Sequence, residues 1–246
     1  MEQDENIFAR IKEMLGGVTP NFSILEHQVD IKLQMEYFEF SKSHQAVLTP
    51  DELLLDEPKL YSIDVDFEEK KELLVGLASI DKPEAYRILE RFATSAPEQI
   101  MGWALMALQE SRMLLETRIL DEQQVFISTG LGGKGGKLRY FVVAFSIDHA
   151  PFSETQQRLI SSEFDFSLKR FNADIEEIRF ASHYFSVIAV VPLSVPIRQP
   201  FKMAIDECNS LGRFIKSSFL ITNVKILTDS EIDEIVRESE NPQPEE

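Results

Sequence analysis

Near residue 123 the hydrophobic period of the chain changes. Upstream, apolar residues mostly recur at helical spacing. Downstream come short runs rich in Val, Ile and Phe, separated by two helical segments. Between the two lies Gly130-Leu131-Gly132-Gly133-Lys134-Gly135-Gly136-Lys137. A period that switches once, beside a glycine-rich stretch, predicts two structural units. The expectation is an α+β protein with a mainly helical region over 1–123, carrying a strand near 28–40, an α+β sandwich over 124–240, and a disordered tail over 241–246.

The upstream half begins with an amphipathic pattern over 4–15, with Ile7, Phe8, Ile11 and Leu15 on one face and Gly16-Gly17 after it. Val29, Ile31, Leu33, Met35 and Tyr37 then alternate with polar residues, which is strand period. Thr49-Pro50-Asp51-Glu52 is a capping box with proline at the first helical position. Its helix stops before Pro58, and residues 59–66 read as extended. From Phe67 to Leu120 the pattern is helical throughout: Asp66 caps one helix, Pro83 opens a second and Pro97 a third. The short connections Asp81-Lys82 and Ser95-Ala96 force antiparallel neighbours. In spacing and proline position these pairs resemble HEAT-type helical hairpins, stacked pairs used as binding surfaces.

Downstream, Val125–Ile127 and Leu138–Phe145 read as strands of a hairpin with a long loop. Ser153 with Gln156 starts a helix whose stripe is Ile160, Phe164, Leu168 and Phe171. Strands at 175–180 and 184–193 follow. Next come a helix from Pro200, a strand at 219–227, and a capping box at Thr228-Asp229-Ser230-Glu231. The order is β-β-α-β-β-α-β. Without its first strand it is the ferredoxin-like order; the alternative is a duplicated β-β-α unit closed by a fifth strand. Both are sandwiches with a mainly antiparallel sheet.

Charge is unevenly placed in a chain of net charge −17. Residues 1–123 carry 12 Lys/Arg against 25 Asp/Glu, residues 124–229 carry 12 against 10, and residues 230–246 carry 1 against 7. The first and last stretches repel a nucleic-acid backbone; the middle one does not. The single cysteine, Cys208, excludes an intrachain disulfide, the N-terminus is too acidic for a secretory signal, and no run of apolar residues is long enough to span a bilayer. The cytoplasm is the expected location.

Gly130-x-Gly132-x-x-Gly135 matches the dinucleotide fingerprint in spelling, but the fingerprint needs a helix after the glycines and here a strand follows. No Gly-Lys-Ser/Thr, His-Arg-Asp or Asp-Phe-Gly accompanies it. The candidate that survives is an anion site at Gly132, Gly133, Lys134, Gly135, Gly136 and Lys137, where loop N–H groups and two ammonium groups meet a ligand; the simpler reading is a hairpin tip rich in glycine for backbone freedom. Asp148-His149 reads as a loop pair, and His27, His44 and His183 as isolated, with no metal-ligand spacing. Cys208 sits on an apolar helix stripe. Asp66 is accounted for by capping and Asp64 by solvent. Met101, Met106 and Met113 near Trp103 read as core filling, with an adaptable groove as the alternative. Tyr140, Phe141, Tyr184 and Phe185 lack the glycine-rich motif of an RNA-recognition sheet.

With no catalytic constellation, no metal set and no cofactor motif, the sequence points to a non-catalytic protein-interaction or regulatory module. A second reading is a small-molecule or nucleotide sensor that holds an anion at the Gly-Lys loop or in a cleft between the halves. A third is nucleic-acid binding by residues 124–229. The expected partner is a protein, then a small anionic ligand; nucleic acid is disfavoured and a membrane is not expected.

Overall fold

The structure, a computed structural model, describes Glu13 and residues 21–43, 48–120 and 124–240. The helix expected over 4–15, apart from Glu13, and the tail at 241–246 lie outside the described residues. Among the described residues the chain divides at Gly136/Lys137 into two compact units.

In the first unit, β1 (Asn21–Ile24) pairs in parallel with β2 (Gln124–Ile127), Asn21 opposite Gln124 and Ile24 opposite Ile127. The 124–127 strand therefore has a partner far upstream instead of forming a hairpin with 138–145. The remainder is helical: α1 (Ile31–Ser43), α2 (Pro50–Leu55), α3 (Glu57–Tyr61), α4 (Phe67–Ala78), α5 (Pro83–Ala93) and α6 (Glu98–Leu120). The strand expected near 28–40 is thus helix α1. The Asp30 carboxylate caps it by accepting from the N–H groups of Lys32 (2.8 Å) and Leu33 (3.3 Å). Leu33, Tyr37 and Phe40 also stand at i, i+4 and i+7, a helical stripe that the alternation concealed. The 59–66 segment is not wholly extended either: Glu57–Tyr61 is helical, with Pro58 in the first turn where its missing N–H costs no hydrogen bond. The caps at Thr49 and Asp66 form as the sequence predicts. Leu74, Leu77, Leu89, Phe92, Trp103 and Met106 belong to the core of this unit.

The second unit is built on β4 (Lys137–Ser146), β5 (Asp174–Phe180), β6 (Tyr184–Pro192) and β7 (Ile215–Thr222), with helices α7 (Glu154–Arg170), α8 (Arg198–Leu211) and α9 (Asp229–Glu240). The strand order is β7-β4-β6-β5, with every one of these pairs antiparallel. Phe164 of α7 meets Phe185 edge-on at 5.1 Å, and Phe201 of α8 lies 6.3 Å from Phe219. Phe185 and Phe219 both pair with Ala144 in the sheet register, so the two helices cover the same face. The molecule is α+β with an antiparallel sheet. No helix among the described residues is long and apolar enough to cross a membrane.

Candidate functional site

The glycine-lysine segment is braced along its first half. Leu131 is fully buried, and Gly132 adopts φ 66° with the carbonyl oxygen of His27 only 2.4 Å from where a Cβ would stand. The Gly133 N–H donates to the Glu26 carbonyl (3.3 Å) and the Gly135 N–H to the Glu26 carboxylate (3.1 Å). A two-residue strand, β3 (Gly133–Lys134), then runs into β4 through Gly135 and Gly136, at φ 55° and 77°. Two successive residues of positive φ are what a mirror-image hairpin turn requires. The six candidate residues thus share one tight turn. Two of its N–H groups point at Glu26, and the Lys137 ammonium lies 2.6 Å from Asp174. Lys134 is exposed.

The stronger gathering of functional groups is at one end of the second unit's sheet. Four separate segments supply it. The Lys216 ammonium at the start of β7 is 3.4 Å from His149 Nε2 in the loop after β4. The His149 and His183 rings have centroids 6.4 Å apart, although α7 and β5 separate them in sequence. His183, in the β5–β6 turn, stacks on Phe145 at 6.4 Å, lies 5.4 Å from the Tyr184 ring, and has Asp233 of α9 at 3.7 Å. The Tyr184 hydroxyl donates to Asp229 (2.6 Å), and the Arg179 guanidinium reaches the same carboxylate at 2.5 Å.

Local chemistry fixes each member. Asp148 accepts from the Ser146 hydroxyl and from the Ala150 N–H, which turns the chain so that His149 stands at φ 56°. The Ser146 hydroxyl, then the Ala150 N–H, hold the Asp148 carboxyl below its ordinary range. The carboxylate that neighbours His149 in sequence therefore serves the turn. Burial and then Asp229 push the Tyr184 phenol up to about 12, and the Tyr184 hydroxyl followed by Arg179 holds Asp229 below its ordinary range. A phenol so held is a poor nucleophile at neutral pH. Beside the row lies a cleft of ≈ 490 Å³ lined by Phe141, Ile188, Glu177, Arg179, Thr228 and Asp229.

His149 and His183 are not isolated, as their spacing implied; the sheet folds them together. The signal that could have revealed this was positional: each sits at a strand end, 149 after β4 and 183 before β6, and those strands are antiparallel neighbours. Among the described residues no three His, Cys, Asp or Glu side chains are grouped to hold a metal. Cys208 is fully buried on α8, its thiol pushed up to about 12 by burial and then by Glu163.

Compared with models of protein families and with curated protein sequences, the chain matches none. Among solved structures it is similar to a protein of Deinococcus radiodurans R1 provisionally described as a transposase. That match has 10% identity and a TM-score of 0.34, and covers 44% of this chain and 93% of the other. It is also similar to a REP-associated tyrosine transposase bound to a REP hairpin, with 12% identity and a TM-score of 0.29, covering 43% of this chain and 68% of the other. The expectation of a non-catalytic protein-interaction module, with nucleic acid disfavoured, is corrected by these findings: one neighbour is provisionally described as a transposase, and the other is a transposase bound to a REP hairpin. The source of the error is that the acidic stretches 1–123 and 230–246 were weighed above residues 124–229, which carry 12 Lys/Arg against 10 Asp/Glu, whereas a partner meets the local field.

Proposed function

We propose that the second unit binds a nucleic-acid backbone at the sheet end formed by Lys216, His149, His183 and Arg179. The observation that carries this reading is the convergence of those four groups, from the start of β7, the loop after β4 and the β5–β6 hairpin, into one row. An ammonium, a guanidinium and imidazole N–H groups aligned along a path offer donors to a chain of phosphates, whose contacts position the ligand and dominate affinity. The near-neutral charge of residues 124–229, against the excess of acids upstream, supports the same assignment. The arrangement favours binding over strand transfer, because the hydroxyl of the tyrosine in the row donates a hydrogen bond to Asp229 and burial, then Asp229, push its phenol up to about 12. The scaffold we read as a ferredoxin-like plait, since a β7-β4-β6-β5 order with both helices on one face follows from β-α-β-β-α-β connectivity. The antiparallel helices of the first unit we read as HEAT-like pairs.

The test is fluorescence anisotropy of a labelled DNA hairpin titrated with the full chain over a range of salt. Log affinity should fall linearly with log salt. Lys216→Ala should flatten that slope by about 1, as expected for one lost phosphate contact. Lys134→Ala, outside the row, should leave the slope unchanged. Absence of binding at low salt, or a Lys216→Ala slope equal to that of the parent, overturns the proposal.

A further inference from the structure

The first unit contains a half-open pocket that the nucleic-acid reading does not use. It has a volume of ≈ 230 Å³ and is lined by Phe38, Met106, Gln109, Glu110, Met113 and Phe126. Residues 106, 109, 110 and 113 fall at i, i+3, i+4 and i+7, so one stripe of α6 forms a wall. Phe38 of α1 and Phe126 of β2 close it, their rings edge-on at 5.8 Å. Of the three methionines that the sequence marks as core filling, Met101 packs against the core, while Met106, at 2% exposure, and the half-buried Met113 also line this pocket.

The one ionisable side chain lining this pocket is acidic. The Gln109 amide is directed at the Ser23 hydroxyl (2.8 Å). Glu110 accepts from the Tyr37 hydroxyl at 2.5 Å through one oxygen, while its other oxygen has only a 3.4 Å contact from Ser41. Tyr37 is fully buried, and burial followed by Glu110 pushes its phenol well above the ordinary value, so it remains a neutral donor. Among the described residues no ion pair neutralises Glu110. The pocket thus offers one carboxylate with spare accepting capacity, two aromatic rings whose faces attract positive charge, and two polarisable thioethers. Its negative charge disfavours anions and its apolar walls disfavour strongly hydrated metal ions.

We infer that this pocket binds a small organic cation, an ammonium carrying apolar substituents, with the charged head toward Glu110 and the substituents against Phe38, Phe126, Met106 and Met113. The volume limits the ligand to a few heavy atoms, below drug size.

The probe is choline, compared with its uncharged tert-butyl analogue, which has the same shape without the charge. Binding is read by calorimetry and by the thermal midpoint of the full chain. Choline should raise the midpoint at millimolar concentration, and the uncharged analogue should bind about tenfold more weakly, the factor expected of about 1.4 kcal/mol. Glu110→Gln retains an acceptor for Tyr37 and should weaken choline by a similar factor while leaving the analogue unaffected. Met113→Trp, which fills the space, should abolish both while circular dichroism confirms the fold. No midpoint rise with choline, equal binding of the analogue, or choline binding unchanged in Glu110→Gln each overturns the inference. None of these outcomes bears on hairpin binding by the other unit.

Discussion

Gly132 has no room for a side chain. A Cβ there would stand 2.4 Å from the His27 carbonyl oxygen and 2.7 Å from that of Glu26, on a backbone of positive φ. Gly135 also has positive φ, but nothing lies within 4 Å of its Cβ position. The two glycines separate clash from conformation. Gly132→Ala should destabilise by more than about 2 kcal/mol, because backbone must move, whereas Gly135→Ala should cost about 1 kcal/mol, the price of a left-handed alanine alone. Urea denaturation of both variants checks the ranking, and equal losses would show that the contact with 26–27 does not brace the turn. Sequence showed that these residues were glycine and lay between strands. It could not distinguish the glycine pressed against another segment from the two that only turn the chain, because the segment it meets is some hundred residues upstream.

At the scale of elements, capping chemistry was the most legible signal. Thr49 with Glu52, Asp66, and Ser153 with Gln156 all make the bonds that their spacing predicts, since both partners lie within one helical turn. Thr228 and Glu231 do the same at α9. There the Lys225 ammonium, then the Thr228 N–H and hydroxyl, lower the Glu231 carboxyl from 4.5 to about 2. A carboxyl whose folded value is depressed stabilises above its ordinary value and loses that contribution as pH falls. Helix α9 should therefore fray between about pH 4.5 and 2, ahead of α7, which is capped by the uncharged Ser153–Gln156 pair. Thr228→Ala should cost about 1 kcal/mol of local stability. Amide hydrogen exchange resolves both effects, and protection of 229–237 that is unchanged at acid pH would refute the first. Helix α1 shows the opposite lesson. Residues 29–37 satisfy an alternating period and a helical stripe at once, so the pattern was degenerate. Asp30 capping and the helix propensity of Met, Gln, Glu and Lys decided it.

At the scale of the whole molecule, the second unit carries a set of buried proton donors with consequences at high pH. Burial raises Tyr140 from 10.0 to about 12, burial with Glu163 raises Cys208 from 9.0 to about 12, and burial with Asp229 raises Tyr184 from 10.0 to about 12. The unfolded chain gives up these protons first. Stability is therefore full below the ordinary values and falls as pH rises from about 9 toward 12. Melting curves of the full chain across this range should show the decline, and Cys208 should resist alkylation under native conditions at pH 8 yet react once the chain is unfolded. Rapid native labelling would contradict its fully buried position on α8.

Legible in the sequence alone were the helix starts capped by Thr49, Asp66, Ser153 and Thr228, the change of period, the antiparallel α+β character of the second unit and the burial of Cys208. Each of these depends on neighbours within a turn of helix or on the alternation of a strand. Only tertiary structure decided that 124–127 pairs in parallel with 21–24, that Glu26 meets the glycine turn, that Met106 and Met113 line a pocket with Glu110, and that His149, His183, Lys216 and Arg179 form one row. Those pairings join residues far apart in the chain. Their proximity is set by strand order and register, which local periodicity does not encode.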